Sequence, residues 1–168
     1  WLRPELVAAV RERVPVWVMS GALPGLVPTG VVADGRAELY RSLGVDGVLV
    51  NDPGRFSRLY RRPEYPRLVA HRGLALGCPE NTMPAFMNAL AVDVPNLEIE
   101  LDVRGTADRR LVVSHDPRTG RIAQSDLEIA SSDLDSLVSL DLQGDFVGAR
   151  LCTLGEVFRR IGPRCGYN

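Results

Sequence analysis

At 168 residues the chain can hold one domain with its own core, but a closed eight-stranded parallel barrel usually needs about 250. Twenty Lys and Arg against 21 Asp and Glu leave a net charge of -1, which gives no electrostatic basis for binding nucleic acid or an anionic membrane surface. No apolar run reaches the roughly 18 residues of a membrane-spanning helix, and Cys78, Cys152 and Cys165, odd in number and without metal-ligand spacing, read as reduced structural thiols. Composition selects neither a compartment nor an oligomeric state.

The first predicted element is a helix over residues 4–14, because Pro4 suits a first helical position and Leu6, Val7 and Val10 recur at helical spacing. Residues 14–19 are apolar on both faces and read as a buried parallel strand entered through Pro15. A Gly- and Pro-rich loop over 21–35 follows, then a helix over 36–43 with Ala37, Tyr40 and Leu43 on one face and Gly44 at its end. Residues 45–50 form another apolar strand, interrupted at Gly47 and closed by Asn51-Asp52-Pro53-Gly54. The arginine-rich stretch up to Pro66, with a short helix expected around 56–60, reads as a solvated connection rather than a nucleic-acid patch.

The alternation then repeats. A strand over 67–70 leads through a Gly-rich loop to a helix over 83–90, with Asn81 or Thr82 available as its cap. Strands over 97–103 and 111–114 are joined by a polar turn at 105–110, and Ser132 and Asp135 open a short helix bearing Leu134, Leu137 and Val138. Thr153 and Glu156 make a capping-box pattern for a helix over 154–161, closed by Gly162. Alternating strands and helices predict an α/β fold with a mostly parallel sheet, in which functional groups collect at the carboxyl ends of the strands.

Both histidines of the chain follow such strands, His71 after 68–70 and His115 after 111–114. Glu100 and Asp102 are two residues apart in the strand between them, and alternate strand residues point the same way. Each residue has a plainer reading: a hydrogen-bonded loop histidine, an exposed strand edge, or an Arg72–carboxylate pair worth about 0–1 kcal/mol. Together they say more. Two acids on one side of a half-buried strand need positive charge opposite them, and a hard cation such as Mg²⁺ or Ca²⁺ suits oxygen ligands of this kind.

His71-Arg72-Gly73, Pro79-Glu80-Asn81-Thr82 with Ala85-Phe86, Glu100-Leu101-Asp102-Val103, Thr106, Asp108 and His115-Asp116 resemble the signature of the glycerophosphodiester phosphodiesterases. Thr153-Leu154 with Glu156-Val157 resembles a later motif of that family, and the order and spacing carry more weight than any single tripeptide. The resemblance implies a TIM (β/α)8 barrel, here partial, and metal-dependent hydrolysis of a small-molecule phosphodiester to glycerol 3-phosphate and an alcohol. It further implies that His71 and His115 are the acid–base pair, that Arg72 holds the phosphate, that Glu80 and Asn81 belong to the substrate loop, and that Glu100 and Asp102 bind a divalent metal. Two other readings stand beside it: a non-catalytic barrel repeat for binding or structure, and a related phospholipase D-like or phosphoinositide-cleaving phosphodiesterase.

Three departures from the pattern are visible. Arg109 stands where the family usually has a turn glycine, the stretch after Asp116 is shorter and leaves Arg118 and Arg121 without a role, and the family's further metal-binding glutamate, shortly followed by a lysine, is expected beyond Asn168. Val16-Trp17-Val18 and residues 43–53 look like the final strands of the same barrel type, so the order is end first and beginning second. Trp at position 1 and a strand-like opening at the last residues lead to the expectation of an excerpt, inactive alone, in which residues 1–60 finish one barrel and 67–168 begin another. The alternative is a single permuted barrel. In a barrel the last and first strands are neighbours, so residues 48–50 are expected to pair in parallel with 68–70.

Overall fold

The computed structural model describes residues 3–19, 36–56, 65–144 and 146–168. In chain order its strands are β1 (Trp17–Met19), β2 (Gly47–Val50), β3 (Arg67–Ala70), β4 (Glu98–Ile99), β5 (Val103–Gly105), β6 (Leu111–Val113) and β7 (Gly166–Tyr167). The helices are α1 (Pro4–Arg11), α2 (Arg36–Leu43), α3 (Met83–Ala91), α4 (Leu134–Val138) and α5 (Leu154–Ile161). Five strands form one parallel sheet in the order β1-β2-β3-β4-β7, and β5 and β6 form a separate antiparallel pair.

The expected pairing of the two apolar runs is present, with Val48 opposite Leu68, Leu49 opposite Val69 and Val50 opposite Ala70. These strands are continuous in apolar character because both of their faces are covered. Val48, Val50, Leu68, Ala70 and Ile99 share a core with Phe86 and Ala89 of α3 and Val157 and Ile161 of α5. The interruption at Gly47 has a steric cause. The Trp17 ring of β1 lies across it, so a Cβ there would fall 2.2 Å from a ring carbon. On the next strand the Arg67 guanidinium sits 4.9 Å from the centre of the same ring.

Several boundaries differ from the sequence reading. The first helix ends at Arg11 and buries Val7, while Leu6 and Val10 stay exposed. The first strand begins at Trp17, since the Val16 N–H before it is taken by the Asp46 carboxylate at 2.8 Å. A 3-10 turn occupies Pro53–Phe56; the expected helix beyond Phe56 and the loop over 21–35 lie outside the described residues. Thr82 rather than Asn81 caps α3, and Asp133 caps α4 by accepting from the Ser136 N–H. The capping box of α5 is present as anticipated, and all three cysteines are free.

The largest difference concerns the predicted strand over 97–103, which is two strands in two sheets. β4 ends at Ile99, the Glu100 and Leu101 N–H groups still bond to the carbonyls of Ala70 and Asn168, and beyond them β5 runs back against β6 with Val103 opposite Val113 and Gly105 opposite Leu111. A polar connection as short as 106–110 can close only an antiparallel pair, since a parallel one needs a crossover of about a dozen residues. The excursion carries its own small core of Val112, Ala123, Ile129, Leu137, Leu142, Ala149 and Leu151. Adjacent residues of β6 thereby divide the two cores: Val113 packs with the sheet and Val112 with the excursion.

Candidate active site

The carboxyl end of β3 turns through His71, Arg72 and Gly73. Gly73 has φ 81°, and a Cβ on it would lie 2.8 Å from the Ala85 carbonyl carbon in α3, so no side chain fits between the turn and the helix. Arg72 also adopts a left-handed backbone, φ 53°, a conformation that costs a non-glycine residue about 1–2 kcal/mol. Two hydrogen bonds hold it there: its N–H donates to Glu100 Oε2 at 2.9 Å, and its carbonyl accepts the Asn81 N–H at 3.0 Å. The turn is thereby fixed to both acid-bearing segments that follow it.

His71 is buried. Its backbone N–H donates to the Val50 carbonyl at 2.9 Å, and its Nδ1 lies 2.8 Å from Asn51 Oδ1. With the amide oxygen as acceptor, Nδ1 carries the proton and Nε2 is the basic nitrogen. Burial, reinforced by the Arg72 charge, holds this imidazole below its ordinary pKa; the carboxylates of Asp102 and Glu80 oppose that shift without cancelling it.

Glu100 and Asp102 follow the end of β4 and do not lie on a strand, as was expected of them; Asn81 and Arg72 hold them instead. Asn81 Nδ2 donates to Asp102 Oδ2 at 2.9 Å, and Asn81 Oδ1 accepts the Asp102 N–H at 3.3 Å. Arg72 Nε comes within 3.4 Å of the same Asp102 oxygen, which is ion-pair range, but it is buried and makes no hydrogen bond. Burial pushes the Glu100 carboxyl up, the Arg72 N–H offsets part of that, and the neighbouring Asp102 charge adds to it. Glu80 behaves oppositely. Burial would raise its pKa, but a single oxygen, Oε1, accepts from Arg121 at 2.6 Å and from Arg72 at 2.9 Å, and the net shift is downward.

His115 leaves β6, a strand of the hairpin and not of the parallel sheet. It is exposed, and its Nδ1 lies 2.6 Å from Asp116 Oδ1. The Arg104 guanidinium donates from Nε to the His115 carbonyl at 2.8 Å, and the Ser114 N–H donates to the Asp102 carbonyl at 2.9 Å, stitching this exit to the acid pair. Arg121 closes an ion pair on Asp116, and with His115 it keeps that carboxyl below its usual range.

Arg72, Glu80, Asn81, Glu100 and Asp102 are joined by hydrogen bonds and ion pairs, His71 adjoins them through Arg72, and His115 is tied to them through Ser114 and through Asp116 and Arg121. A cavity of about 450 Å³ opens beside them, lined by Asn51, His71, Arg72, Ala75, Leu76 and Glu80. Glu100, Asp102 and His115 are not among its lining residues. Two participants escaped the sequence reading. Asn51 was recoverable, because one step past the Val50–Ala70 pair in the parallel register is Asn51 beside His71. Arg121 carried no local signal, since it reaches Glu80 across 41 residues through a folded loop.

Glu100 and Asp102 are the residues that could hold a cation. The donor chemistry fits a hard divalent ion: two neighbouring carboxylates, one of them held above its usual range chiefly by burial. Among the described residues they are not joined by a third His, Cys, Asp or Glu in a ligand arrangement.

Together these features define a parallel α/β sheet that gathers imidazoles, paired acids and a guanidinium at one edge. The pattern of the glycerophosphoryl diester phosphodiesterase family matches residues 71–166, more than half of the chain, and the chain belongs to that family. It is 37% identical over 101 residues to a glycerophosphodiester phosphodiesterase of Caldanaerobacter subterraneus subsp. tengcongensis, covering 58% of this chain and 41% of the relative. To a putative glycerophosphodiester phosphodiesterase of Bacillus subtilis it is 38% identical over 103 residues, covering 59% and 42%. The chain thus spans about two fifths of the length of these relatives. Among solved structures, a phosphodiesterase of Oleispira antarctica in complex with the product sn-glycerol-3-phosphate superposes with a TM-score of 0.56 at 28% identity, over 61% of this chain and 43% of that one. A glycerophosphodiester phosphodiesterase of Agrobacterium tumefaciens gives 0.55 at 31% identity, over 60% and 45%. The fold is a partial TIM (β/α)8 barrel of this type.

Proposed function

We propose that the protein hydrolyses glycerophosphodiesters to glycerol 3-phosphate and an alcohol, with His71 and His115 as its acid–base pair. What supports this reading is that the His71-Arg72 turn is hydrogen-bonded to Glu100 and ion-paired with Asp102, while the Ser114 N–H just ahead of His115 donates to the Asp102 carbonyl. His71, buried, neutral and presenting Nε2 as a base, takes a proton from the attacking water as the water oxygen bonds to phosphorus. His115, with Asp116 holding its Nδ1–H, gives the Nε2 proton to the departing alcohol oxygen as the second P–O bond breaks. The Arg72 guanidinium holds the phosphoryl oxygens, and Glu80 and Asn81 fix that guanidinium and the acid pair in register. Glu100 and Asp102 would hold a divalent cation, Mg²⁺ or Ca²⁺, which when bound supplies further positive charge to the phosphate.

Release of glycerol 3-phosphate from glycerophosphocholine by the full-length protein, abolished by His71→Ala and by chelation, is the expected result. Turnover that survives both treatments rejects this mechanism. The division of the chain at residues 60 and 67 into parts of two barrels is also a proposal, supported by the order of the strands. The β2–β3 pairing supports its alternative, one sheet shared by both parts. Cleavage between residues 57 and 64 that lets the two parts separate in native solution favours two barrels; parts that stay together favour one.

A further inference from the structure

Arg118 and Arg121 lie on the same loop and do different things. Arg118 stays local, donating to the Asp126 carboxylate at 2.9 Å and to the Asp126 carbonyl at 3.0 Å. The loop around them is internally fastened: the buried Thr119 hydroxyl donates to the Ser125 carbonyl at 2.6 Å and accepts the Leu127 N–H at 2.9 Å, while the Gly120 N–H donates to Asp126 at 3.0 Å. From this base Arg121 extends outward. Its Nε meets Asp116, the carboxylate on the His115 ring, and its terminal nitrogen meets Glu80 at 2.6 Å, the carboxylate on Arg72.

The result is an unbroken series of contacts, His115 to Asp116 to Arg121 to Glu80 to Arg72. Without Arg121, the Asp116 side chain keeps, among the described residues, only its contact with the imidazole it is meant to orient. We propose that Arg121 is a positioning residue that holds Asp116, and through it the His115 ring, in the orientation that delivers a proton to the leaving oxygen. This rests on the functional reading above. Both ends of the Arg121 guanidinium are engaged by carboxylates, which argues for a strut rather than for a second phosphate ligand.

Leaving groups distinguish a strut for the general acid from general structural support. An alkyl alkoxide must be protonated as it departs, whereas 4-nitrophenolate leaves without help. In the full-length protein, Arg121→Met should lower kcat on glycerophosphocholine by about 10–100-fold and on the 4-nitrophenyl ester of glycerol phosphate by less than about 3-fold, with KM nearly unchanged for both. Arg121→Lys, which keeps the charge but cannot span both acids as a planar fork, should fall between wild type and Arg121→Met on the choline ester. Asp116→Asn should reproduce the same leaving-group selectivity, and Arg118→Met should leave both rates at wild-type values. Equal losses on the two esters, or no loss on either, overturn the role of Arg121 while the functional reading stands. A wild-type protein that turns over neither ester overturns the functional reading and this inference with it.

Discussion

His71 emerges from a strand covered on both faces, its backbone bonded to β2, its ring to Asn51 and its turn closed against α3 at a position where a Cβ has no room. His115 emerges from a hairpin beside solvent, and side-chain charges hold it: Asp116 on its ring, Arg104 on its carbonyl and Arg121 behind Asp116. One half of the site is therefore set by backbone and packing, the other by ion pairs. The first is insensitive to salt and intolerant of added volume, whereas the second tolerates volume and depends on charge, since exposed pairs are screened. Such a division suits the proposed roles of the two imidazoles, general base at His71 and general acid at His115.

The largest effect expected on the packed half is loss of the base. His71→Ala should reduce kcat/KM by about 10²–10⁴-fold on both the choline and the 4-nitrophenyl esters, because proton removal from the attacking water precedes either departure. His115→Ala should show a comparable loss on the choline ester only. In the wild type, the rising limb of kcat/KM with pH should lie below the ordinary imidazole range, because burial and Arg72 lower the His71 pKa and the neutral ring is the active form. A limb at or above that range would place the base elsewhere.

Glu100→Gln sharpens the comparison by separating function from stability. The folded-state pKa of Glu100 is raised by burial, so the folded protein holds this proton more tightly than the unfolded chain does. That contribution is fully present below the unfolded carboxyl value and is lost as pH rises through the folded one, leaving a desolvated charge at neutral pH. The amide should therefore raise the urea midpoint at pH 7 and give no advantage near pH 4, while lowering turnover by about 100-fold through loss of an anionic ligand. A variant less stable than wild type at pH 7 would mean that Glu100 is already neutralised.

Gly73→Ala probes the packing that the His71 side relies on. The added methyl meets the Ala85 carbonyl at a positive φ, and the combined strain should destabilise the fold by about 2–3 kcal/mol in urea unfolding. Arg118→Met, on the ion-pair side, removes an exposed pair with Asp126 and should leave the urea midpoint nearly unchanged.

What the sequence disclosed follows the same division. The parallel pairing of β2 and β3 was readable because strands buried on both faces are continuous apolar runs, whereas Arg72 and Asn81 were singled out by resemblance to the family's motifs. The end of β4 was not readable. Glu100-Leu101-Asp102 alternates as a strand would, and what withdraws the chain from the sheet at Asp102 is tertiary: the Asp102 N–H turns to Asn81 and the Ser114 N–H takes the Asp102 carbonyl. Arg121 was opaque for a similar reason. Its partners are 5 and 41 residues away, and only the folded 117–128 loop aims it at both.

The smallest effect is expected at the departure from the family pattern, Arg109. The hairpin turn keeps the left-handed conformation that a glycine would take, with φ 59° at Arg109 and its N–H bonded to the Thr106 carbonyl at 3.0 Å. The Thr106 hydroxyl accepts the Arg110 N–H at 2.9 Å and donates to Asp108, so the hydrogen bonds around the turn impose the geometry on an unfavourable residue. Left-handed strain of about 1–2 kcal/mol is relieved by Arg109→Gly, against a loss of about 0.5–1 kcal/mol from the greater freedom of glycine in the unfolded chain. The variant should thus be more stable by about 0.5 kcal/mol in urea unfolding. Because the turn is at the far end of β5 and β6 from His115, the same substitution should leave turnover of both esters unchanged; a change in the choline-ester rate would show that the hairpin transmits its twist to the acid, and that the ion pairs alone do not fix it.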